Sequence, residues 1–264
     1  MKYIYNSEFN EINTQEKAYV LGLWYADGFV TYNTETSSYF AGIKLKIDNI
    51  DLLEKIKQFF PFFVLQTTEN VCVLRCNKRE FCEDLIKNGV FPNKSGINKN
   101  KLSFPLIKVS FYNHFIRGYF DGDGSIYFSK TNSINAKGMC FTGNNYKFLK
   151  KIQEILWYEG VPTKLNYIRG GRSVIRGEEV IFKSLTFHLI SQNTKIIKAA
   201  SKYLYNNSSI HMERKNKIFN RWVIKEKTSP RCPICRSNKT QWQKKNILII
   251  CRNCKKYSKV FKLP

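Results

Sequence analysis

Apolar residues recur at helical spacing from Gln15 to Ala26, and the pattern then turns to the alternation of strands near Phe29–Tyr32 and Tyr39–Ile47. A second amphipathic helix is predicted from about Ile50 to Phe60, behind Asp48 and Asn49 as a cap signal. Strands near Phe63–Thr67 and Val71–Cys76 and a helix from about Lys78 to Asn88 complete the block. The same order then returns. A helix near Tyr112–Phe120, strands near Ser125–Ser129 and Gly138–Thr142, and a helix from Asn145 to about Tyr158 lead to strands near Thr163–Ile168 and Ser184–Ile190 and a last helix from Asn193.

A displacement of 96 positions lays Gly22 on Gly118, Asp27 on Asp123, Gly28 on Gly124, Leu53 on Leu149 and Ile56 on Ile152. The chain is therefore read as an internally duplicated α+β protein, with halves at 1–95 and 111–226. The stretch "NKSGINKNKLSFPLIKVS" (93–110) has little apolar period, which makes 96–110 the linker. A separate tail occupies 229–264.

Composition adds a partner. Hydrophobic content of 43% with 15% aromatic residues supports packed cores rather than disorder. Against that background, 44 Lys and Arg face 20 Asp and Glu, a net charge of +24. Such an excess calls for a polyanion, and interleaved Tyr, Phe and Asn favour nucleic acid. A membrane is disfavoured, because no run of about 18 apolar residues occurs. The start, "MKYIYNSEFNEIN", lacks the apolar core of a signal peptide, so an intracellular, reducing compartment is expected. Cys72, Cys76, Cys82 and Cys140 lie among apolar neighbours and read as buried thiols.

Each half opens on an apolar helix with a glycine inside it and a small–Asp–Gly ending: Gly22 before Ala26-Asp27-Gly28, and Gly118 before Gly122-Asp123-Gly124. Small residues allow two helices to approach closely, and Gly22, Gly28, Gly118 and Gly124 are the expected helix-interface positions. Packing the two helices together would set Asp27 beside Asp123. Two carboxylates at helix C-terminal ends are unfavourable without a cation and suit a hard divalent ion such as Mg²⁺ or Mn²⁺. Beside a polyanion groove, that pair points to metal-assisted phosphodiester hydrolysis. The competing reading is ordinary turn chemistry, which a doubled, in-register motif disfavours.

The segments "VLGLWYADG" (20–28) and "IRGYFDGDG" (116–124) resemble the paired signature of the LAGLIDADG homing endonucleases in their single-chain, two-motif form, over about residues 15–225. The resemblance implies an αββαββα fold per half and two saddle-shaped antiparallel sheets lying in the DNA major groove. It also implies divalent-metal cleavage of both strands at a long asymmetric site by a monomer. It assigns the metal-binding acids to Asp27 and Asp123, active-site lysines to Lys94 and Lys215, and water-orienting positions to Asp48 and Asn144, which are equally N-cap candidates. Tyr25 departs from the signature where Asp121 follows it. Strand residues Tyr32, Lys44, Lys46, Arg75, Lys130, Lys137, Arg169, Arg172, Arg176 and Lys183 are candidates for reading DNA, and the 169–179 loop for phosphate contact. His114, His188 and His211 show no metal spacing and are expected to be structural.

In the tail, Cys232, Cys235, Cys251 and Cys254 form two C-x2-C pairs with fifteen residues between them, the pattern of a structural zinc site. The unit is similar to a zinc ribbon. It carries ten Lys or Arg and no acidic residue, so phosphate neutralisation is expected, with Trp242 and Tyr257 as stacking or core residues. Two alternatives use the same fold: an RNA-binding intron maturase and a DNA-binding regulator without cleavage.

Overall fold

The computed structural model describes residues 9–94, 101–128, 136–168, 171–175, 178–182, 185–225, 240–243, 248–251, 254 and 257–259. Two units are distinguished, Met1–Ile218 and Phe219–Pro264.

In the first unit, α1(Gln15–Ala26), β1(Gly28–Asn33), β2(Ser38–Lys46), α2(Ile50–Phe59), β3(Val64–Thr67), β4(Val71–Cys76) and α3(Arg79–Lys87) form one half. The other runs α4(Tyr112–Asp123), β5(Gly124–Phe128), β6(Ala136–Gly143), α5(Tyr146–Tyr158), β7(Lys164–Ile168), β8(Gly171–Ile175), β9(Glu178–Phe182), β10(Thr186–Ser191) and α6(Thr194–Tyr205), and the boundary between the units falls within the helix that follows, α7(Glu213–Lys225). The sheets are antiparallel, ordered β1-β2-β4-β3 and β5-β6-β10-β7. The α+β reading with two four-stranded sheets holds.

Thr14 starts α1, its hydroxyl accepting from the Lys17 amide at 3.2 Å. Every residue from Ala18 to Tyr25 is buried, so α1 is an interior helix, and its main partner is α4. The contact is reciprocal: a Cβ on Gly22 would stand 2.0 Å from the Phe115 carbonyl oxygen, and one on Gly118 would stand 2.0 Å from that of Tyr19. In the 96-residue register these are the same contact made twice. Gly22→Ala should therefore push backbone from backbone and lower stability by about 3 kcal/mol, measured by urea unfolding. Gly28 and Gly124 belong elsewhere. Added Cβ atoms there would meet Trp24 at 2.4 Å and Phe120 at 2.2 Å, aromatic residues of the preceding turn rather than the facing helix. These two glycines let the chain turn from helix to strand over an aromatic ring.

Strand alternation sorts the faces. Val30, Ala41, Ile43, Leu45, Cys72, Leu74 and Cys76 are buried beneath α2 and α3, while Lys44 and Lys46 point to solvent with Arg75 half-buried beside them. Tyr32 pairs with Tyr39 and follows the parity of Val30, so it lies on the opposite face from those three cations. The second sheet repeats the plan, with Met139, Phe141 and Leu189 fully buried.

Three local expectations change. Residues 169–179, expected as a loop, include most of a hairpin, β8 paired antiparallel with β9. Leu65 pairs with Leu74 in one sheet and Leu165 with Leu189 in the other, separations of 9 and 24 residues, so the 15-residue surplus is the hairpin. Helix α4 continues past Phe120 to Asp123, because Gly122 sits against α1 at Ala26 and extends the close contact by a turn. The caps of α2 and α5 are Asn49 and Asn145, of which Asn145 accepts from the Phe148 amide at 2.9 Å. Asp48 lies in a 3₁₀ turn at Ile47–Asn49, and Asn144 precedes its cap.

The second unit contains β11(Thr240–Gln243), β12(Leu248–Cys251) and β13(Tyr257–Lys259) in one antiparallel sheet ordered β11-β12-β13. Trp242 lies on β11, Tyr257 on β13 and Cys251 on β12, and Cys254 is half-buried. Cys232 and Cys235 lie outside the described residues. Among the described residues no helix is long and apolar enough to cross a membrane.

Candidate active site

Asp27 closes α1 as its C-cap and Asp123 is the last residue of α4. The Gly22/Gly118 crossing draws the two ends together, so that a Cβ on Gly122 would lie 3.0 Å from Asp27 Oδ2. Both carboxylates are exposed, and neither has a hydrogen-bond or ion-pair partner among the described residues. The Asp123 carboxyl is nevertheless pushed up to about 6, first by the protein crowded around it and then by the Asp27 charge, with Lys94 and Lys215 opposing. Asp27 is raised for the same first reason and against the same two lysines. Open to water yet mutually repelling, the pair offers the charge and the oxygen donors that a hard divalent ion takes.

The two lysines are at the site but turned toward backbone. Lys94 Nζ donates to the carbonyls of Tyr25 at 2.7 Å and Ala26 at 2.5 Å. Lys215 Nζ contacts the carbonyls of Phe120, Asp121, Gly122 and Gly124 at 2.7, 2.6, 3.3 and 2.6 Å. Each ammonium thus occupies the terminal carbonyls of one motif helix, where the dipole is negative. Burial holds both lysines down to about 8, partly offset by acidic neighbours. A cavity of about 210 Å³ connects the halves here, lined by Lys94, Tyr25, Tyr119, Asp123, Asn144 and Thr186. Asn144 therefore belongs beside Asp123, whereas Asp48 is exposed in its 3₁₀ turn.

The motif departure at Tyr25 has a structural counterpart at Asp121. Tyr25 donates to the carbonyl of Asn88, the C-cap of α3, at 2.6 Å. Asp121 is fully enclosed and accepts from Tyr205 at 2.5 Å, the Met212 amide at 2.7 Å and Tyr19 at 2.8 Å. Each residue ties its motif helix to the end of the third helix in its own half. Sequence reading missed Tyr19 and Tyr205, because nothing local marks a tyrosine as the donor to a carboxylate 102 or 84 residues away.

The histidines are local. His114 meets the buried Arg117 guanidinium at 2.8 Å and is pushed down to about 4, by burial and then by that charge. His211 contacts Ser208 and Glu213, and His188 contacts Cys140. Cys72, Cys76, Cys82 and Cys140 are buried, unpaired thiols.

Among the proposed DNA readers, Lys44, Lys46 and Arg75 share the helix-free face of the first sheet. Lys137 and Arg172 lie on β6 and β8, and Lys130, Arg169, Arg176 and Lys183 fall outside the described residues. The alternation in the second sheet adds residues that the charge-led reading passed over: Ser125 opposite Cys140, and His188 between Thr142 and Asn166. Among the described residues no three His, Cys, Asp or Glu side chains gather as a metal-binding group.

Residues 110–203 match the family model of the LAGLIDADG-like domain. No curated protein matches the sequence. Among solved structures, LAGLIDADG homing endonuclease I-GzeII in complex with its DNA target is similar with a TM-score of 0.51 and 15% identity, over 80% of this chain and 91% of that one. A double lysine-to-alanine mutant of I-SmaMI is similar with a TM-score of 0.50 and 12% identity, over 80% of this chain and 91% of that one. The chain thus contains a LAGLIDADG-like domain at residues 110–203 and has, across its two duplicated halves, the LAGLIDADG homing endonuclease fold.

Proposed function

We propose that this protein is a monomeric, site-specific endonuclease that cuts both strands of double-stranded DNA by divalent-metal-assisted hydrolysis. The observation that carries the reading is the pair of exposed, unpartnered carboxylates at the abutting ends of α1 and α4, with Asp123 raised to about 6 partly by the charge of Asp27. The donor set fits Mg²⁺ or Mn²⁺, since it offers two carboxylates, no soft ligand, and room for phosphate oxygens and water to complete the shell. A divalent ion bound there would supply charge stabilisation to a phosphate oxygen and a more acidic water.

The remaining roles fall to the chain. Lys94 and Lys215 fix the helix ends that carry the aspartates, and so act as positioning residues. Asn144 and Thr186, on the cavity wall with Asp123, are placed to orient a water by hydrogen bonding. Lys44, Lys46 and Arg75 meet DNA through the open face of their sheet. Incubating the protein with a randomised duplex library and Mg²⁺, then sequencing the ends, tests the reading. Cuts at one long asymmetric motif are expected, and library binding without cuts would remove the nuclease assignment.

The tail is proposed as a zinc ribbon that adds phosphate contacts, on the strength of its cysteine spacing and all-basic charge. Cys251→Ser should lose one equivalent of zinc per chain by metal analysis and weaken duplex binding by about tenfold. Unchanged metal content would contradict the assignment.

A further inference from the structure

Duplication supplies an internal control for surface charge. Helices α2 and α5 share a register 96 residues apart, with caps at Asn49 and Asn145 and buried faces at Leu52, Leu53 and Ile56 against Phe148, Leu149 and Ile152. Helices α3 and α6 correspond 115 residues apart, as do Leu74 and Leu189 in the strands before them. The core positions agree, and so do Lys55 with Lys151 and Lys87 with Lys202, but four outer positions differ in charge sign. Asp51 and Glu54 of α2 become Lys147 and Lys150 of α5, and Glu80 and Glu83 of α3 become Lys195 and Lys198 of α6. Four acidic sites have become basic, so α2 with α3 carries a net −1 while α5 with α6 carries +5.

This surface cannot serve a duplex lying on the sheets. Helices α5 and α6 both pack on the covered face of the second sheet; Lys147 and Lys195 are exposed, and Lys150 and Lys198 are half-buried, with Lys150 Nζ donating to Gln153 Oε1 at 3.0 Å. At the end of α5, Trp157 is 55% and Tyr158 is 90% exposed, with Lys150 Nζ 5.9 Å from the Trp157 ring centre. In the first half, Phe62 lies past the end of α2 and is packed, 4.4 Å from the Phe63 ring and 5.4 Å from that of Phe81, while Phe59, the last residue of α2, is 42% exposed, less than either ring of α5. Exposed ring faces beside lysines suit unstacked bases and their phosphates, whereas a duplex offers phosphates alone.

We propose that the outer face of α5 and α6 is a second nucleic-acid site, which binds a single strand while the sheets hold a duplex. It stands apart from the cleavage reading, because none of its residues belongs to the motif helices or the sheets.

The test uses the full chain without divalent metal and fluorescently labelled 20-mers of uridine and of thymidine, titrated with the sheets already saturated by unlabelled random duplex. Both single strands should bind in the presence of duplex, and a preference for the uridine strand would make RNA the source. The variant Lys147→Asp/Lys150→Glu/Lys195→Glu/Lys198→Glu, which restores the charges of the first half, should weaken single-strand binding about 30-fold and duplex binding less than about threefold. Tyr158→Ala should weaken single-strand binding about tenfold. Displacement of the single strand by duplex overturns the proposal, as does equal weakening of both ligands by the charge variant. So does wild-type protein that binds neither 20-mer, or unchanged affinity in Tyr158→Ala. Should the fourfold variant melt far below wild type, Tyr158→Ala decides alone, because its ring already lies in solvent.

Discussion

Asp27→Asn and Asp123→Asn should each reduce double-strand cleavage by about a thousandfold or more, leave duplex binding within about threefold, and, for Asp123→Asn, raise the melting temperature of the metal-free protein at pH 7. The amide keeps the shape and removes the charge that would hold a cation. The effect on stability has a definite sign. The folded carboxyl of Asp123 titrates near 6, above its ordinary 3.8, so ionising it opposes folding. That stability is present below about 3.8 and is lost as the pH rises through about 6. A shift of this size would correspond to roughly 3 kcal/mol in a dry site, but the group is exposed and screening reduces it to about 1 kcal/mol. Melting in EDTA from pH 4 to 8 should therefore show wild type falling about 3 °C behind Asp123→Asn above pH 6. Saturating Mg²⁺ at about 100 times its Kd should return about 2.7 kcal/mol to wild type and nothing to the variant. A variant that cuts normally, or one whose melting follows wild type across the whole range, would take Asp123 out of the site.

Lys215→Met should be the most destabilising single change at the motif, at about 3 kcal/mol, with Lys94→Met nearer 2 kcal/mol. The difference follows from geometry. Lys215 contacts four carbonyls and Lys94 two, and methionine restores none of these bonds while filling a similar volume. Relief of the buried charge offsets part of the loss. Both lysines titrate near 8 in the fold against 10.5 outside it, so their contribution is whole above about 10.5 and is lost as the pH falls through 8. Wild type should gain stability on raising the pH across that window, and the double methionine variant should not. Urea unfolding at pH 8 and pH 10 checks the point, and equal stabilisation of both proteins would show that the ammonium groups are not buried at the helix ends.

The duplication was open to reading because it is written in residue types: the two motif glycines and aspartates and the periodic apolar positions of α2 and α5 recur at one spacing. Partners that belong to the backbone leave no such mark. That Lys94 and Lys215 would face carbonyls rather than phosphate depends on groups every residue shares. Gly28 and Gly124 were misassigned for a related reason, since a glycine shows that something comes close but not whether it is the facing helix or an aromatic ring of its own turn. The β8–β9 hairpin was hidden by composition, its glycines, arginines and glutamates masking two five-residue strands. Pleat parity, once the register was known, moved Tyr32 away from Lys44 and Lys46 and brought in Ser125 and His188, which carry no charge signal.

The crossing of α1 and α4 looks alike from either side in its backbone, but its side chains are not interchangeable. Tyr19 reaches across to the enclosed Asp121, while in the reverse direction the Phe115 ring meets Tyr25 edge-on at 5.0 Å. Two copies of the later half would set that phenyl ring against the buried acid and deprive it of one hydroxyl, and two copies of the earlier half would bring a pair of phenols together with no acceptor between them. The halves are thus matched as unlike partners. If they were expressed as separate polypeptides, they should choose each other over themselves, and the asymmetry of the assembly would survive the loss of the peptide that joins them.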